Sequence, residues 1–346
     1  MSVFVYAENI NGEYKKTTLE AISYAKALAD KISTSLIAIT INPTESVEKL
    51  YQFGANKVIT IKDTSLKNFD NQYFAKAINA HFDGQFIVFP QTNEASAIAT
   101  SLSVKNNISL ITNVIELPEN TSPLQVKRKI FSGKAFSIVK SNTEKNVLSI
   151  AVNSFGVKEN PTIGTEEVSE TNISESQLKI SSREEVAGSI NLKDAEIVVS
   201  GGRGLKSPDN WHIITDLANA LNGALACSKP VSDNGWRPHE EHIGQTGTTI
   251  SPNLYIAVGI SGAIQHLAGV NSSKTIVVIN TDAEAPFFKS ADYGVVGDAF
   301  EVLPKLTEKI KNFKKKEFFF ETRSHSVAQA VVYRDLGSLQ PPPPWF

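Results

Sequence analysis

Apolar residues in the first 110 positions come in two rhythms. Short unbroken runs at residues 3–7, 36–41, 57–61 and 85–89 alternate with longer stretches whose apolar positions recur every three or four residues. In the stretch 17–33, Leu19, Ile22, Ala25, Leu28 and Ile32 share one helical face. A short helix at 45–53, a helix at 73–82 and an alanine-rich stretch at 94–104 follow the later runs. Strand alternating with helix predicts a parallel sheet with helices on both faces. Residues 124–152 instead read as three short strands without helices between them, which predicts an antiparallel extension. Residues 153–189 are polar, rich in Glu, Ser and Thr, and are expected to form a linker.

A second alternating block begins beyond it, with strands at 195–200, 254–259 and 275–279 and helices at 210–221, 262–268 and 298–313. The predicted fold is therefore α/β throughout. A Rossmann-like N-terminal α/β domain at 1–185 precedes a doubly wound parallel-sheet domain at 190–313. Residues 314–346 break the pattern: three lysines are followed by three phenylalanines, and four prolines at 341–344 end any helix and hold an extended form. They are expected to form a separate tail that packs poorly or irregularly.

Composition narrows the function. The 346 residues suit two domains at about 150 residues each. With 34 basic against 36 acidic side chains, the net charge of -2 supplies no basic field for nucleic acid. The single cysteine, Cys227, excludes an internal disulfide framework and a thiolate metal cluster. It follows a short apolar run at 223–226 and reads as a small packed residue. No apolar run approaches the roughly 20 residues of a membrane span, and the chain enters its first strand without a basic leader. The expectation is a soluble, cytoplasmic protein.

The chemistry-bearing residues collect at strand ends of the second domain. Gly201, Gly202, Arg203 and Gly204 follow one strand, Ser261 and Gly262 another, Asn280 and Thr281 a third. In an open parallel sheet, ligands bind outside the carboxyl ends of the strands. Glycines there let backbone approach a phosphate, and N–H groups opening the next helix favour negative charge. On that short helix Ile264, Leu267 and Ala268 make an i, i+3, i+4 stripe. His266 stands about 200° from Ile264, away from the expected core, facing ligand or solvent. His239 and His242, three apart with acids between, read as a solvated turn rather than a metal site. The GQTG turn at 244–247 offers the Thr246 hydroxyl to a ligand edge. No G-x-S-x-G elbow and no phosphate-binding G-x-x-x-x-G-K-[ST] loop occurs.

These residues together resemble a known family. Residues 195–311 are similar to the FAD-binding domain of the electron transfer flavoprotein alpha subunit. The resemblance rests on LYIAVGISGAIQHLAG at 254–269, IVVIN at 276–280, SGGRGLKS at 200–207, GQTG at 244–247 and ADYG at 291–294. Two departures stand out: Val278 where the family usually has Ala, and Lys229 where it commonly has Arg.

The resemblance implies an electron carrier, not an enzyme, that binds FAD and works with an electron transfer flavoprotein beta subunit. It would take electrons from acyl-CoA dehydrogenases, in fatty acid oxidation, and pass them to a membrane electron transfer flavoprotein-quinone oxidoreductase. Arg203 would meet the phosphate region, with Ser228 alongside. Ile243, Gly244, Gln245 and Thr246 would line the isoalloxazine, Thr246 near N5. Ser261, Gly262, Ala263, Ile264, Gln265 and His266 would hold the pyrophosphate and ribityl chain, with His266 at the O2 side. His266 and Lys229 would supply positive charge where a reduced flavin accumulates negative charge. Lysine keeps that charge but lacks the planar guanidinium that stacks on a ring. Asn280, Asp298 and Ala299 would contact the adenosine end. The alternative is a nucleotide-binding enzyme of the same doubly wound class. Residues 318–346 resemble a translated Alu-type interspersed repeat (FFFET, SVAQA, RDLGSLQPPPP), which has no place in this family, and read as a sequence-assembly or gene-model artefact rather than a genuine extension.

Overall fold

Continuous apolar runs become central strands because both faces of a parallel sheet are covered by helices. Val3–Tyr6 and Phe86–Pro90 are buried at every position. From edge to edge the first sheet runs Ala135–Lys140, Leu124–Ile130, Ser109–Val114, Asn146–Ile150, Phe86–Pro90, Val3–Tyr6, Leu36–Ile41, Lys57–Lys62 and Thr165–Glu170. Two apolar cores lie on its faces, one around Tyr24, Leu28 and Leu50, the other around Phe4, Ile78 and Ile98. The computed structural model describes residues 2–131, 133, 135–170, 178, 180–182 and 192–321, with side chains as far as Lys314. The chain divides into two units, residues 1–185 and 186–346.

Two expectations are corrected in the first unit. Only Leu124–Ile130 and Ala135–Lys140 form an antiparallel hairpin; Asn146–Ile150 runs parallel between Phe86–Pro90 and Ser109–Val114. The loop at 141–145 carries the chain back to the start of that parallel register, which strand-forming residues alone do not reveal. The expected linker is also shorter. Asn153, Phe155 and Gly156 donate their N–H groups to the buried Glu20 carboxylate at 2.8 Å, and Thr165–Glu170 adds a parallel edge strand to Lys57–Lys62. That strand has no apolar alternation because its side chains are mostly exposed; its backbone hydrogen bonds hold it. Residues 171–177, 179 and 183–189 of the expected linker lie outside the described residues.

The second unit is wholly parallel, in the spatial order His242–Ile243, Ala224–Ser228, Ile197–Gly201, Leu254–Val258, Thr275–Asn280, Tyr293–Val296. Numbered along the chain, this is 3-2-1-4-5-6. Chain direction across the sheet reverses between Ile197–Gly201 and Leu254–Val258, and a crevice opens there outside the carboxyl ends. The Ala224–Ser228 strand carries Cys227 at no exposure, its thiol pushed up to about 12 by burial.

The closing helix starts with Asp298, whose carboxylate accepts from Phe300 N–H at 3.0 Å, a cap of the kind worth about 1 kcal/mol. Leu303 is fully buried and Phe300, Leu306 and Ile310 pack beside it. The helix runs Ala299–Glu321, past the expected end at 313. The expected irregular tail is thus corrected over 314–321: lysine and phenylalanine both tolerate helix, and no glycine or proline interrupts before Gly337. Residues 322–346, including the four prolines, lie outside the described residues.

Candidate functional site

Glycines make the crevice. After Ile197–Gly201, Gly202 N–H donates to Val258 O at 2.8 Å and Gly204 N–H to Gly259 O at 3.1 Å. A Cβ on Gly202 would stand 2.1 Å from Gly259 O, and one on Gly204 2.7 Å from Gly259 Cα. Gly259 itself has φ +62°, a conformation open to glycine. Two loops from either side of the reversal thus pack backbone to backbone. Asn280 ties in the third loop, donating from Nδ2 to Ile260 O at 3.1 Å and accepting from Asp282 N–H at 3.1 Å.

A cavity of about 560 Å³ opens over these loops. Of the expected residues, Arg203, Ser228, Ile243, Gly244, Gln245 and Thr246 line it on one side, and Ser261, Ala263, Gln265, His266 and Asn280 on the other. Lys229 joins Arg203 as an exposed cation at the rim. The 244–247 turn is docked onto the opposite wall by Gln245 N–H donating to Gln265 O at 2.8 Å. Gly262, Ile264, Asp298 and Ala299 are not among the lining residues. Gly262 has φ +84°, and its Cβ position faces the backbone of Phe287 at 2.6 Å, so this glycine serves packing. Asp298 caps the closing helix and Ala299 is buried against its core.

His266 requires a correction. The helix is Ile264–Val270, and its buried residues are His266, Gly269 and Val270, while Ile264 is 72 % exposed. The stripe shifts because the helix approaches its neighbours through Gly269, whose missing Cβ lets Gly244 N come within 2.6 Å of that position. His266 therefore faces inward. Its Nε2 lies 2.7 Å from the Tyr255 hydroxyl, and its ring meets Phe287 edge-on at 5.7 Å. Burial, then the positive charge of His242, push its pKa down to about 4, against a weaker opposing pull from the Ile243 backbone. Its imidazole is thus held toward the neutral form, and Lys229 and Arg203 are the cations at the rim.

His242 is also corrected. It is 2 % exposed, lines the cavity and pairs in the sheet, whereas His239 is exposed, the two rings being 5.4 Å apart. Burial first, then His239, lowers the His242 pKa. Among the described residues no group of three or more His, Cys, Asp or Glu could hold a metal. Sequence reasoning missed Pro230, His242, Gly259, Ile260, Asp282 and Ala285 as lining residues. For Gly259, Asp282 and Ala285 the signal was position past a strand's carboxyl end; His242 opens the short edge strand and carried no such signal.

This is a nucleotide-cofactor fold: a parallel sheet with a reversal point, a glycine-crowded crevice and two rim cations suited to phosphate. Residues 191–271 match the family described as the electron transfer flavoprotein FAD-binding domain, and residues 3–176 the electron transfer flavoprotein domain. The chain is 35 % identical over 325 residues to the electron transfer flavoprotein subunit alpha of Thermoanaerobacterium thermosaccharolyticum, covering 90 % of this chain and 98 % of that one. It is 34 % identical over 315 residues to the Bacillus subtilis subunit (89 % and 97 %) and 36 % identical over 315 residues to that of Paracoccus denitrificans (90 % and 100 %). The chain belongs to the electron transfer flavoprotein alpha subunit family, and its cofactor is FAD. The residues present fit that group. The glycine loops admit backbone contact with a pyrophosphate, and the buried, unpartnered Nδ1 atoms of His242 and His266 belong to residues of the cavity wall.

Proposed function

We propose that this chain is an electron carrier that turns over no substrate of its own. It is the FAD-binding partner of an electron transfer flavoprotein beta subunit, takes electrons from acyl-CoA dehydrogenases and passes them to a membrane quinone oxidoreductase. The cavity at the sheet reversal carries this reading. Its lining offers hydrogen bonds, glycine backbone and two cations, while the one nearby thiol, Cys227, is buried and held protonated. FAD supplies the redox chemistry; the protein binds, orients and shields it.

In this reading Arg203 and the backbone around Ser261 and Ala263 take the phosphates, with Ser228 beside them. Ile243, Gly244, Gln245 and Thr246 border the ring system, Lys229 stands over it, and Asn280 takes the adenosine end. A cytoplasmic setting accords with the absence, among the described residues, of a helix long and apolar enough to cross a membrane. Co-expression with an electron transfer flavoprotein beta subunit tests the proposal. The purified complex should show flavin absorbance, and that absorbance should bleach when an acyl-CoA dehydrogenase and its substrate are added. A folded but colourless complex would move the assignment to a nucleotide-binding enzyme of the same fold. A coloured complex that no acyl-CoA dehydrogenase reduces would remove those donors.

A further inference from the structure

The 244–247 turn folds back over the side chain that precedes it. His242 opens the edge strand His242–Ile243, is 2 % exposed and lines the cavity. Thr248 N–H donates to His242 O at 2.8 Å, Gly244 N–H to Thr248 O at 3.3 Å and Gly247 N–H to Gly244 O at 3.1 Å. A Cβ on Gly247 would stand 2.7 Å from His242 Nδ1, and one on Gly244 3.3 Å from Nε2. Both ring nitrogens thus meet the turn where it carries no side chain. Gln245 N–H donates to Gln265 O, so the ring and the helix Ile264–Val270 both hold the turn.

This seat suits a neutral imidazole and not its cation. Nδ1 is buried and has no hydrogen-bond partner. An imidazolium carries an N–H on each nitrogen. One of them would set a charged donor against Gly247 with nothing to accept it, a cost that only water or a displaced turn relieves. The surroundings act the same way. Burial, His239 with its ring at 5.4 Å, and Lys229 oppose a charge on His242, while Asp233 favours one. His266, on the helix Ile264–Val270, and His242 disfavour charge on one another. Glu241, its neighbour in the chain, is tied to Arg237 at 2.8 Å, and Cys227, its partner in the sheet, is held protonated.

We propose that His242 is a positioning residue: its neutral ring seats the 244–247 turn, and taking up a proton unseats it. That the turn borders the flavin rests on the FAD reading; that the ring holds the turn does not.

The test starts from the flavin-free heterodimer and the amide exchange of residues 244–248, scaled to the intrinsic rate at each pH. From pH 7.5 to 5.5 this exchange should speed up about fivefold, because the unseated turn binds a proton that the seated one excludes. His242→Gln keeps a neutral polar side chain and should hold the exchange slow and flat over that range. His242→Ala should exchange fast at both ends of it. Wild-type exchange that ignores pH overturns the proposal, as does a pH slope that survives in His242→Gln, or slow exchange in His242→Ala. Reloaded with FAD, the wild type should show a dissociation constant that rises about fivefold over the same range. In His242→Gln it should stay constant. Exchange that follows pH while FAD affinity does not would take the flavin away from this turn and leave His242's hold on it standing.

Discussion

The two units carry the same device and use it oppositely. Each has a sheet in which the chain's order turns about between two neighbouring parallel strands, in the first Val3–Tyr6 and Phe86–Pro90, in the second Ile197–Gly201 and Leu254–Val258. In the first, the residues past those strand ends are Glu8 and Thr92. Thr92 donates its hydroxyl to the Glu8 carboxylate at 2.7 Å, and Thr18 donates to Glu8 O at 2.7 Å. The crevice is bridged by the chain's own side chains, and the nearby carboxylates Glu8 and Glu94 disfavour phosphate and help raise the pKa of Tyr6, second to burial. In the second unit the residues directly past the strand ends are Gly202 and Gly259, and cations stand at the rim. Sheet topology sets where a ligand can bind; a few loop residues decide whether one does.

That contrast is easiest to break at the glycines. Gly202→Val puts side-chain atoms where Gly259 O already lies, 2.1 Å from the new Cβ. FAD should be lost from the purified heterodimer, and the second unit should lose roughly 3 kcal/mol or more, read from flavin absorbance and a denaturant melt. Full FAD content in this variant would show that the glycine crevice is not the cofactor site.

Acid should separate the units next. The His266 pKa falls from 6.5 unfolded to about 4 folded. Its neutral form contributes stability that is complete above pH 6.5 and is lost as pH drops toward 4, because only the unfolded chain binds the proton in that window. The loss amounts to roughly 3 kcal/mol. His266→Gln should flatten this slope in a pH series of melts. A slope unchanged by the substitution would mean that His266 is not the buried neutral group.

Thr92→Val tests the closed crevice. It removes the bond to Glu8 and the N-cap bond to Ala95 N–H at 3.0 Å, at a cost of about 2 kcal/mol. FAD content should not change. Loss of flavin here would contradict the separation of roles between the two sheets. Smallest of all should be truncation after Phe313. The core-facing side chains of the closing helix end at Ile310, so stability should stay within about 0.5 kcal/mol and FAD should be retained. Failure of the shortened chain to join the beta subunit would assign the removed segment a role in the complex.

The run 36–41 was legible to the residue, since six apolar or β-branched positions buried on both faces have one solution in a parallel sheet. That the glycine loops and the GQTG turn would border one cavity was legible because glycine at a strand end lets backbone approach closely whatever surrounds it. Residue pattern alone was enough for an α/β chain with two strand-and-helix blocks, their approximate strands, and the second block as the FAD-binding one. It did not determine which way His266 faces. A seven-residue helix at a cavity rim has no long apolar stripe to average over, and Gly269 set its rotation by allowing a close approach to Gly244. Nor did it show that Asn146–Ile150 turns back into a parallel register, that Thr165–Glu170 closes the sheet edge, or that Tyr255 reaches His266. Those depend on which strands lie side by side, and hydrogen bonds between residues brought together only by folding decided them.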